Sequence, residues 1–505
     1  MTRIVSYLRS LLTQYCIIMP QNKILRLNQR FLNAQMRCCV QGGARRIATA
    51  SNASPARPPQ TPVSRLTSRR LTSIISNASP AAHAPYKKIV AKRHLHLITH
   101  HSSLITFFIP KGHSMKILLA DLHRFYGYSG GIESVFAHMA EALAARGHTV
   151  IGVYADEKAQ GEFFFSIPET VHLYDLYHMD GYPALSSAGM RKIWREIIRP
   201  FSRAAARNEN YKILARTKDR LAAILEKEAP DIIVSFREPT GRLLLDGIDT
   251  KIPVISMQHS GPDEIYYGVP EAERRALEKS ARIQVFFPSF VESTKKYLHY
   301  NRFVVIGNAV HLPQVTADVA AKKETHIVTC VGRLTGRTKR QHLLIEAFVK
   351  IASDFPDWQL KLWGDTYDKP YVATLKAQIA KSGLMDRILL CGTTKDLAPV
   401  WKETDIFAFP SHHEGFGMAL VEAMAAGIPA VGYRSCSAVN ELIKDGETGI
   451  LTEDGAAPLA KALETLMKNP KLRKTYGESA KEIAKAYEAD RIWDKWEQLF
   501  YNVIQ

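Results

Sequence analysis

Residues 410–432, Pro-Ser-His-His-Glu-Gly-Phe-Gly-Met-Ala-Leu-Val-Glu-Ala-Met-Ala-Ala-Gly-Ile-Pro-Ala-Val-Gly, constrain the fold of this chain more than any other stretch, because a loop, a helix and a strand follow one another without a break. Met418 to Ala426 is rich in Ala, Leu, Met and Glu, Gly427 supplies a helix stop, and Ile428-Pro429-Ala430-Val431 resumes as strand. Gly415 and Gly417 carry no Cβ, so their backbone can come close to a ligand, and the free N–H groups of the helix start suit an anion such as a diphosphate. Glu414 and Glu422 bracket the turn. They would lie roughly 12 Å apart if the whole span were helical at about 1.5 Å per residue. That exceeds the about 5–9.5 Å of a glycosidase acid and base pair. The spacing therefore predicts two contacts to different hydroxyl-bearing parts of one ligand, although an ordinary αβ unit with a surface glutamate has the same pattern.

The same alternation recurs along the chain. His326 to Val331 reads as a strand, Gln341 to Ile351 as an apolar-periodic helix, and Gly332-Arg333-Leu334-Thr335-Gly336-Arg337-Thr338-Lys339 as the loop between them. Arg333 and Lys339 thus fall at a strand's carboxyl end, where open α/β sheets bind ligands. A planar guanidinium and a point-like ammonium there can neutralise a departing diphosphate. Met115 to Asp121 reads as a buried strand, and Ser129-Gly130-Gly131-Ile132-Glu133 opens a helix that closes at Gly147. Further strands are legible at 149–155, 231–236, 253–259, 283–289 and 302–307. This is the pattern of parallel, doubly wound sheets, an α/β chain.

The C-terminal half strongly resembles the retaining glycosyltransferases of family 4, of bacterial polysaccharide and lipopolysaccharide type. The resemblance rests on Asp405-Ile406-Phe407-Ala408-Phe409-Pro410-Ser411, Glu414 to Gly417, Glu422 to Gly427, and Asn440-Glu441-Leu442-Ile443 through Asp445-Gly446 to Thr448-Gly449. It covers residues 115–505 and is specific from Gly307 to Leu451. It implies the GT-B fold, two doubly wound Rossmann-like domains facing a cleft. It also implies that Arg333 and Lys339 bind the donor diphosphate, Glu422 the ribose hydroxyls, and Glu414 with the Gly415, Phe416 and Gly417 amides the transferred sugar. Gly130 and Gly131 resemble the family's N-terminal donor loop. Two positions depart from the family: Arg340 stands where glycine is usual, and Ser435-Cys436-Ser437 replaces a common glycine pair before Glu441.

His259, at the end of strand 253–259, is the candidate for contact with the transferred sugar or the acceptor hydroxyl, and stands with Glu414, Arg333 and Lys339 as a catalytic candidate. A hydrogen-bonded loop histidine is the plainer reading. Glu133, Arg237 and Glu238 sit at similar edges and are candidates for the acceptor pocket. Base contacts are expected near Gly364-Asp365 and Cys391-Gly392-Thr393, with UDP favoured over GDP. No Asp-x-Asp occurs in the chain, so no metal is expected, and cationic side chains with a helix terminus take that role. No cofactor is expected beyond the nucleotide-sugar co-substrate. The resemblance implies retention by front-face attack, with a covalent glycosyl-Glu414 intermediate as the rival. A GT-B epimerase or phosphorylase, or a non-catalytic glycan-binding scaffold, are the alternative functions.

Of the 67 Lys and Arg residues, 17 lie in 1–114 together with no acid, which leaves 50 bases against 49 acids in 115–505. The basic balance is therefore no argument for nucleic-acid binding. Residues 1–114 repeat Ser-Asn-Ala-Ser-Pro-Ala and bury no evident core, and read as a disordered basic extension. Three readings compete for it: translated upstream sequence with Met115 as the start, a transit peptide, or a functional basic arm. The expected organisation is then 115–308 as the acceptor-side domain, 309–325 as linker, 326–476 as the nucleotide-sugar domain, and 477–505 as one helix crossing back to the first domain. No apolar run reaches the roughly 18–20 residues of a membrane span, and Cys330, Cys391 and Cys436 read as reduced thiols of a cytoplasmic protein. Residues 187–220 hold ten Lys and Arg with Met190, Trp194, Ile197, Ile198 and Phe201 interleaved. Such a stretch suits either a solvated helix face or a peripheral contact with anionic lipid at the inner face of a membrane. The partners expected are a nucleotide-sugar donor and a glycan or lipid-linked acceptor.

Overall fold

Short apolar runs between glycine turns become the strands of two parallel sheets, in a computed structural model that describes residues 114–505 apart from 186–187 and 313–314. The basic segment 1–113, with its histidines and Cys16, Cys38 and Cys39, lies outside the described residues. The first sheet contains β1 (Lys116–Asp121), β2 (Thr149–Tyr154), β3 (His172–Asp175), β4 (Ile232–Ser235), β5 (Val254–Met257), β6 (Arg282–Val285) and β7 (Phe303–Val305), in the order β3-β2-β1-β4-β5-β6-β7. The second contains β8 (His326–Val331), β9 (Trp358–Trp363), β10 (Ile388–Gly392), β11 (Ile406–Phe409), β12 (Ala430–Tyr433) and β13 (Gly449–Thr452), in the order β10-β9-β8-β11-β12-β13. All the paired strands are parallel, with Leu118 in register with both Ile151 and Ile233, and Val328 with both Leu360 and Ile406. This is the GT-B architecture of two Rossmann-like sheets.

Each sheet has one switch point where the strand order reverses, between β1 and β4 and between β8 and β11. Chains leaving the carboxyl ends at such a point diverge and open a crevice. The loops that leave there are Leu122–Gly130, the segment after Ser235, Gly332–Arg340 and Pro410–Gly417. They carry Gly130, Arg237, Arg333, Lys339 and Glu414, which the sequence reading names as candidates.

The tail departs from the expected single helix over 477–505. A helix already begins at Pro470, capped by Asn469, whose Oδ1 accepts from Leu472 N at 3.0 Å, and it ends at Ala484. A short turn, Lys485–Tyr487, follows, and the last helix runs over Ala489–Ile504. The break has a cause: Glu488 leaves helical geometry (φ −52°, ψ 136°) while Val310 N donates to Tyr487 O at 2.8 Å and Ala489 N to Val310 O at 3.1 Å. Ile492, Trp493, Trp496 and Phe500 then bury against Met115, Ile117 and Phe136 of the first domain.

The edge strand β3 is absent from the sequence reading, since its four residues are only half buried and carry no clear alternation. Within the basic stretch 187–220, the described residues form two helices, Gly189–Ile198 and Arg203–Leu214, joined at the capping Ser202, and lead through a short turn into a third, Lys218–Glu228. Cys330 and Cys436 are buried and Cys391 half-buried, and none is paired.

Candidate active site

The helix Met418–Ala425 begins immediately after Gly417, which adopts φ +89°. That left-handed conformation costs an L-residue about 1–2 kcal/mol, and glycine escapes it. Two residues earlier, Gly415 packs against the other domain so tightly that a Cβ there would collide with the carbonyl oxygen of His259. The glycines of this turn are thus required by a left-handed turn and by an interdomain contact.

Between the two switch points lies a cavity of about 770 Å³, a size suited to a small ligand. Its lining unites Gly130, Gly131 and Ser134 of the first domain with Arg333, Trp363, Gly364, Asp365, Gly392, Thr393, Met418 and Glu422 of the second. Arg333 is exposed, and while its carbonyl accepts from Gln341 Nε2 at 2.9 Å, its guanidinium makes no hydrogen bond or ion pair among the described residues. Glu422 likewise has no such partner, and burial pushes its carboxyl up to about 7. Trp363 Nε1 is buried without an acceptor. Donors and acceptors left open in this way around a cavity are what a polar ligand completes.

Lys339 stands one layer behind this wall. A side chain on Gly332 would meet its Cε at 3.5 Å, its ammonium lies 5.2 Å from the Phe409 ring centre, and it forms an ion pair with Glu414. The two candidates for diphosphate and sugar contacts therefore hold each other in the free protein. Glu414 opens onto a second cavity, of about 540 Å³, on the far side of the contact between Gly415 and His259.

His259 packs parallel to Phe236 with ring centres 5.6 Å apart, and its Nε2 is buried with no partner. Burial, and then the charge of Arg237, bring its pKa down to about 3, so the ring is neutral. Phe416 is placed differently from the glycines on either side of it. Its side chain is buried between the domains, 5.6 Å from Phe287 in a stacked pair and 5.1 Å from Tyr487. Only its backbone remains for a ligand.

The first domain contributes a charge cluster that no local motif announces. Arg237 donates to Asp121 at 2.6 and 3.3 Å and to Glu133 at 2.9 Å. Burial raises the pKa of Glu133, against the opposing pull of Arg237. Glu238 belongs to another buried group, 3.7 Å from Arg207, which in turn pairs with Glu273 at 2.5 Å. Asp121 is the residue that sequence reasoning missed. Its only signal was an acid ending an otherwise apolar strand.

The backbone at Arg340 is left-handed, with φ at +51°, which suits the usual glycine, and the arginine found there is held by its side chain. Its side chain donates to Pro410 O at 3.2 Å and Asp454 at 2.8 Å, and lies 4.7 Å from the Tyr433 ring centre. Ser435, from the second departure, donates to Asp454 at 2.5 Å.

Residues 314–483 match the family model described as glycosyl transferases group 1, and residues 129–313 that of glycosyltransferase family 4. The N-acetyl-alpha-D-glucosaminyl L-malate synthase of Bacillus anthracis is 30% identical over 304 residues, 57% of this chain and 78% of that protein. An exopolysaccharide phosphotransferase of Streptomyces coelicolor is 35% identical over 162 residues, 32% of this chain but 17% of that protein. Among solved structures, Anabaena HepE in complex with UDP and glucose superposes with a TM-score of 0.58 at 19% identity, over 77% of this chain and 99% of that one. With both halves of the folded region matched in order and a relative covered over most of its length, the chain belongs to glycosyltransferase family 4.

Proposed function

We propose that this chain is a retaining glycosyltransferase that moves a sugar from a nucleotide-sugar donor, a UDP-sugar first among them, to a glycan or lipid-linked acceptor in polysaccharide, lipopolysaccharide or glycolipid assembly. The observation that carries this reading is the 770 Å³ cavity, which joins Gly130 and Gly131 across the two domains to Arg333 and Glu422, whose side chains make no hydrogen bond or ion pair among the described residues. In it, Glu422 accepts from the ribose hydroxyls, and Gly364, Asp365, Gly392 and Thr393 border the base. The diphosphate takes Arg333 and draws Lys339 away from Glu414. The freed Glu414 and the Gly415–Gly417 amides then hold the sugar, with neutral His259 beside it.

Arg333, Lys339 and the helix terminus supply the positive potential for the leaving group, a reading that fits the lack of Asp-x-Asp. In the front-face reaction the acceptor oxygen bonds to the anomeric carbon as the bond from that carbon to the diphosphate breaks. The acceptor's proton passes to the departing phosphate oxygen. The relatives that support the class include a mannosyltransferase of lipopolysaccharide core biosynthesis and a glycosyltransferase acting on a diphospho-undecaprenol substrate.

Thermal shift of the full chain with UDP, GDP and ADP tests the donor site. Stabilisation by UDP that Arg333→Ala and Lys339→Ala each abolish is the expected result. A folded protein that no nucleotide stabilises would overturn it.

A cytoplasmic enzyme resting on the inner face of a membrane is the placement we favour. The helix Gly189–Ile198 buries no residue and exposes Met190 and Trp194, with Phe201 exposed just beyond it. Its cations are less free than the sequence suggested, since Arg191 pairs with Glu209, Lys192 with Glu157, and Arg195 and Arg199 with Glu196. The apolar face, more than the charge, supports the contact. Among the described residues no helix is long and apolar enough to cross a membrane.

A further inference from the structure

The second cavity has a chemistry unlike the first. It is built by both domains, with Tyr267 and Ser293 on one side and His413, Ser437, Asn440 and Glu441 on the other. Its lining is dominated by hydroxyl, amide and carboxylate groups, the set that exchanges hydrogen bonds with vicinal hydroxyls. Tyr267 is 63% exposed, and the Arg203 guanidinium lies 4.5 Å from its ring centre. An aromatic ring held by a cation and left open to a polar cavity is a platform for the C–H face of a sugar.

The charge balance narrows the ligand further. Two arginines face four carboxylates, Asp263, Glu264, Glu414 and Glu441. Arg337 already lies 3.7 Å from Glu264, and Arg203 is engaged over Tyr267. Burial, then the charges of His413 and Arg340, lower the pKa of His412, so that ring adds no fixed cation. Phosphate or carboxylate groups are disfavoured here, whereas hydroxyl donors find acceptors in Glu441 and in Asn440 Oδ1, whose amide nitrogen is spent on Arg434 O at 3.1 Å.

We propose that this cavity is an acceptor subsite for an uncharged, hydroxyl-rich glycan, with Tyr267 as its stacking platform and Asn440 and Glu441 as its hydroxyl partners. The proposal rests on the glycosyltransferase reading above and adds the class of acceptor unit. Glu414 lines this cavity and is ion-paired to Lys339, so the donor that draws Lys339 away also frees a carboxylate of the subsite. Ser437, from the segment that departs from the family's glycine pair, lines the cavity, and its Oγ would lie 3.1 Å from a side chain on Gly261. The departure therefore shapes this subsite.

Saturation-transfer NMR on the full chain with UDP present tests the proposal, using maltose, lactose and α-mannobiose as uncharged probes and a hyaluronan disaccharide as the anionic one. At least one uncharged probe should receive saturation and the anionic one none. The signal should be lost in Tyr267→Ala and Asn440→Ala and kept in Tyr267→Phe, while the UDP signal stays unchanged. Both substituted residues are exposed, so the variants retain their fold. The proposal is overturned if no uncharged probe receives saturation, if the anionic probe receives as much, or if the signal survives both alanine variants. A disaccharide signal that depends on Tyr267 with no signal from UDP would sink the donor reading and leave the subsite standing.

Discussion

The two sheets bring charged side chains to facing edges of one cleft and treat them in opposite ways. At the end of β1 and β4, Arg237 ties the carboxylates of Asp121 and Glu133 together through three hydrogen bonds. At the end of β8 and β11, the side chains of Arg333 and Glu422 make no hydrogen bond or ion pair among the described residues, and the Lys339 ammonium is held by Glu414 and the Phe409 ring. A self-satisfied cluster is a rigid wall, because each buried charge is held by its neighbour. An unsatisfied edge is a place where a ligand completes the electrostatics. On the proposed reading, the first domain gives the cleft its shape and the second its charge recognition.

The strongest way to break this division is at Glu414. Glu414→Ala should lower turnover by roughly 10²–10³, the scale seen when a group aimed at the reacting centre is removed. Donor affinity should change much less, since the variant also removes the ion pair that the donor must break to reach Lys339. Turnover and nucleotide affinity measured side by side decide this, and equal losses in both would end the separation of roles.

Arg237→Ala comes next and probes the other edge. It leaves the buried Asp121 and Glu133 side by side without their cation, which costs about 3–5 kcal/mol of stability when a buried pair is broken from one side. Denaturant unfolding should show that loss together with near-normal UDP binding at temperatures where the variant is folded. A loss of UDP binding with unchanged stability would move Arg237 from wall to ligand contact.

What could be read in advance follows the same contrast. Local patterns carry the second domain's edge: the strand His326–Val331, the helix Gln341–Ile351 and the turn Glu414–Gly417 are contiguous in sequence, and their residues converge on one cavity or its wall. The first domain's cluster joins residues 121, 133 and 237, and no periodicity links positions that far apart. Phe416 reads as a ligand-contact residue because the glycines beside it do, but its aromatic partners Phe286, Phe287 and Tyr487 come from distant segments. The basic stretch 187–220 misled in the same way, since Glu157 and Glu273, which pair with Lys192 and Arg207, lie outside it.

A smaller effect concerns protonation at the open edge. Glu422 sits at about 7 against an ordinary 4.5, so burial favours its neutral form. The ionised carboxylate accepts from both hydroxyls of a ribose diol, so donor affinity should rise with pH through about 7 and level off above it, by at most about tenfold per pH unit. Stability runs the other way: a raised acid disfavours the fold progressively above its ordinary value, so the wild type should lose stability relative to Glu422→Gln as pH rises from 4.5 to about 7. Titration of UDP binding in Glu422→Gln should lose the wild-type component of the pH dependence. An identical profile in both proteins would remove Glu422 from the nucleotide site.

The smallest expected effect tests whether the open edge is held in strain. Arg340 keeps φ at +51°, which costs a side-chain-bearing residue about 1–2 kcal/mol that glycine avoids. Against this it makes the bonds to Pro410 O and Asp454 and covers Tyr433. Both Arg340→Gly and Arg340→Ala lose those contacts, but only alanine keeps the backbone penalty. Arg340→Gly should therefore lie within about 1 kcal/mol of the wild type, since a net hydrogen bond of about 1 kcal/mol and the relief of strain offset each other. Arg340→Ala should be less stable than Arg340→Gly by about 1 kcal/mol. Paired unfolding curves decide the point, because an alanine variant as stable as the glycine variant would mean that the loop relaxes and that no strain is stored beside the donor site.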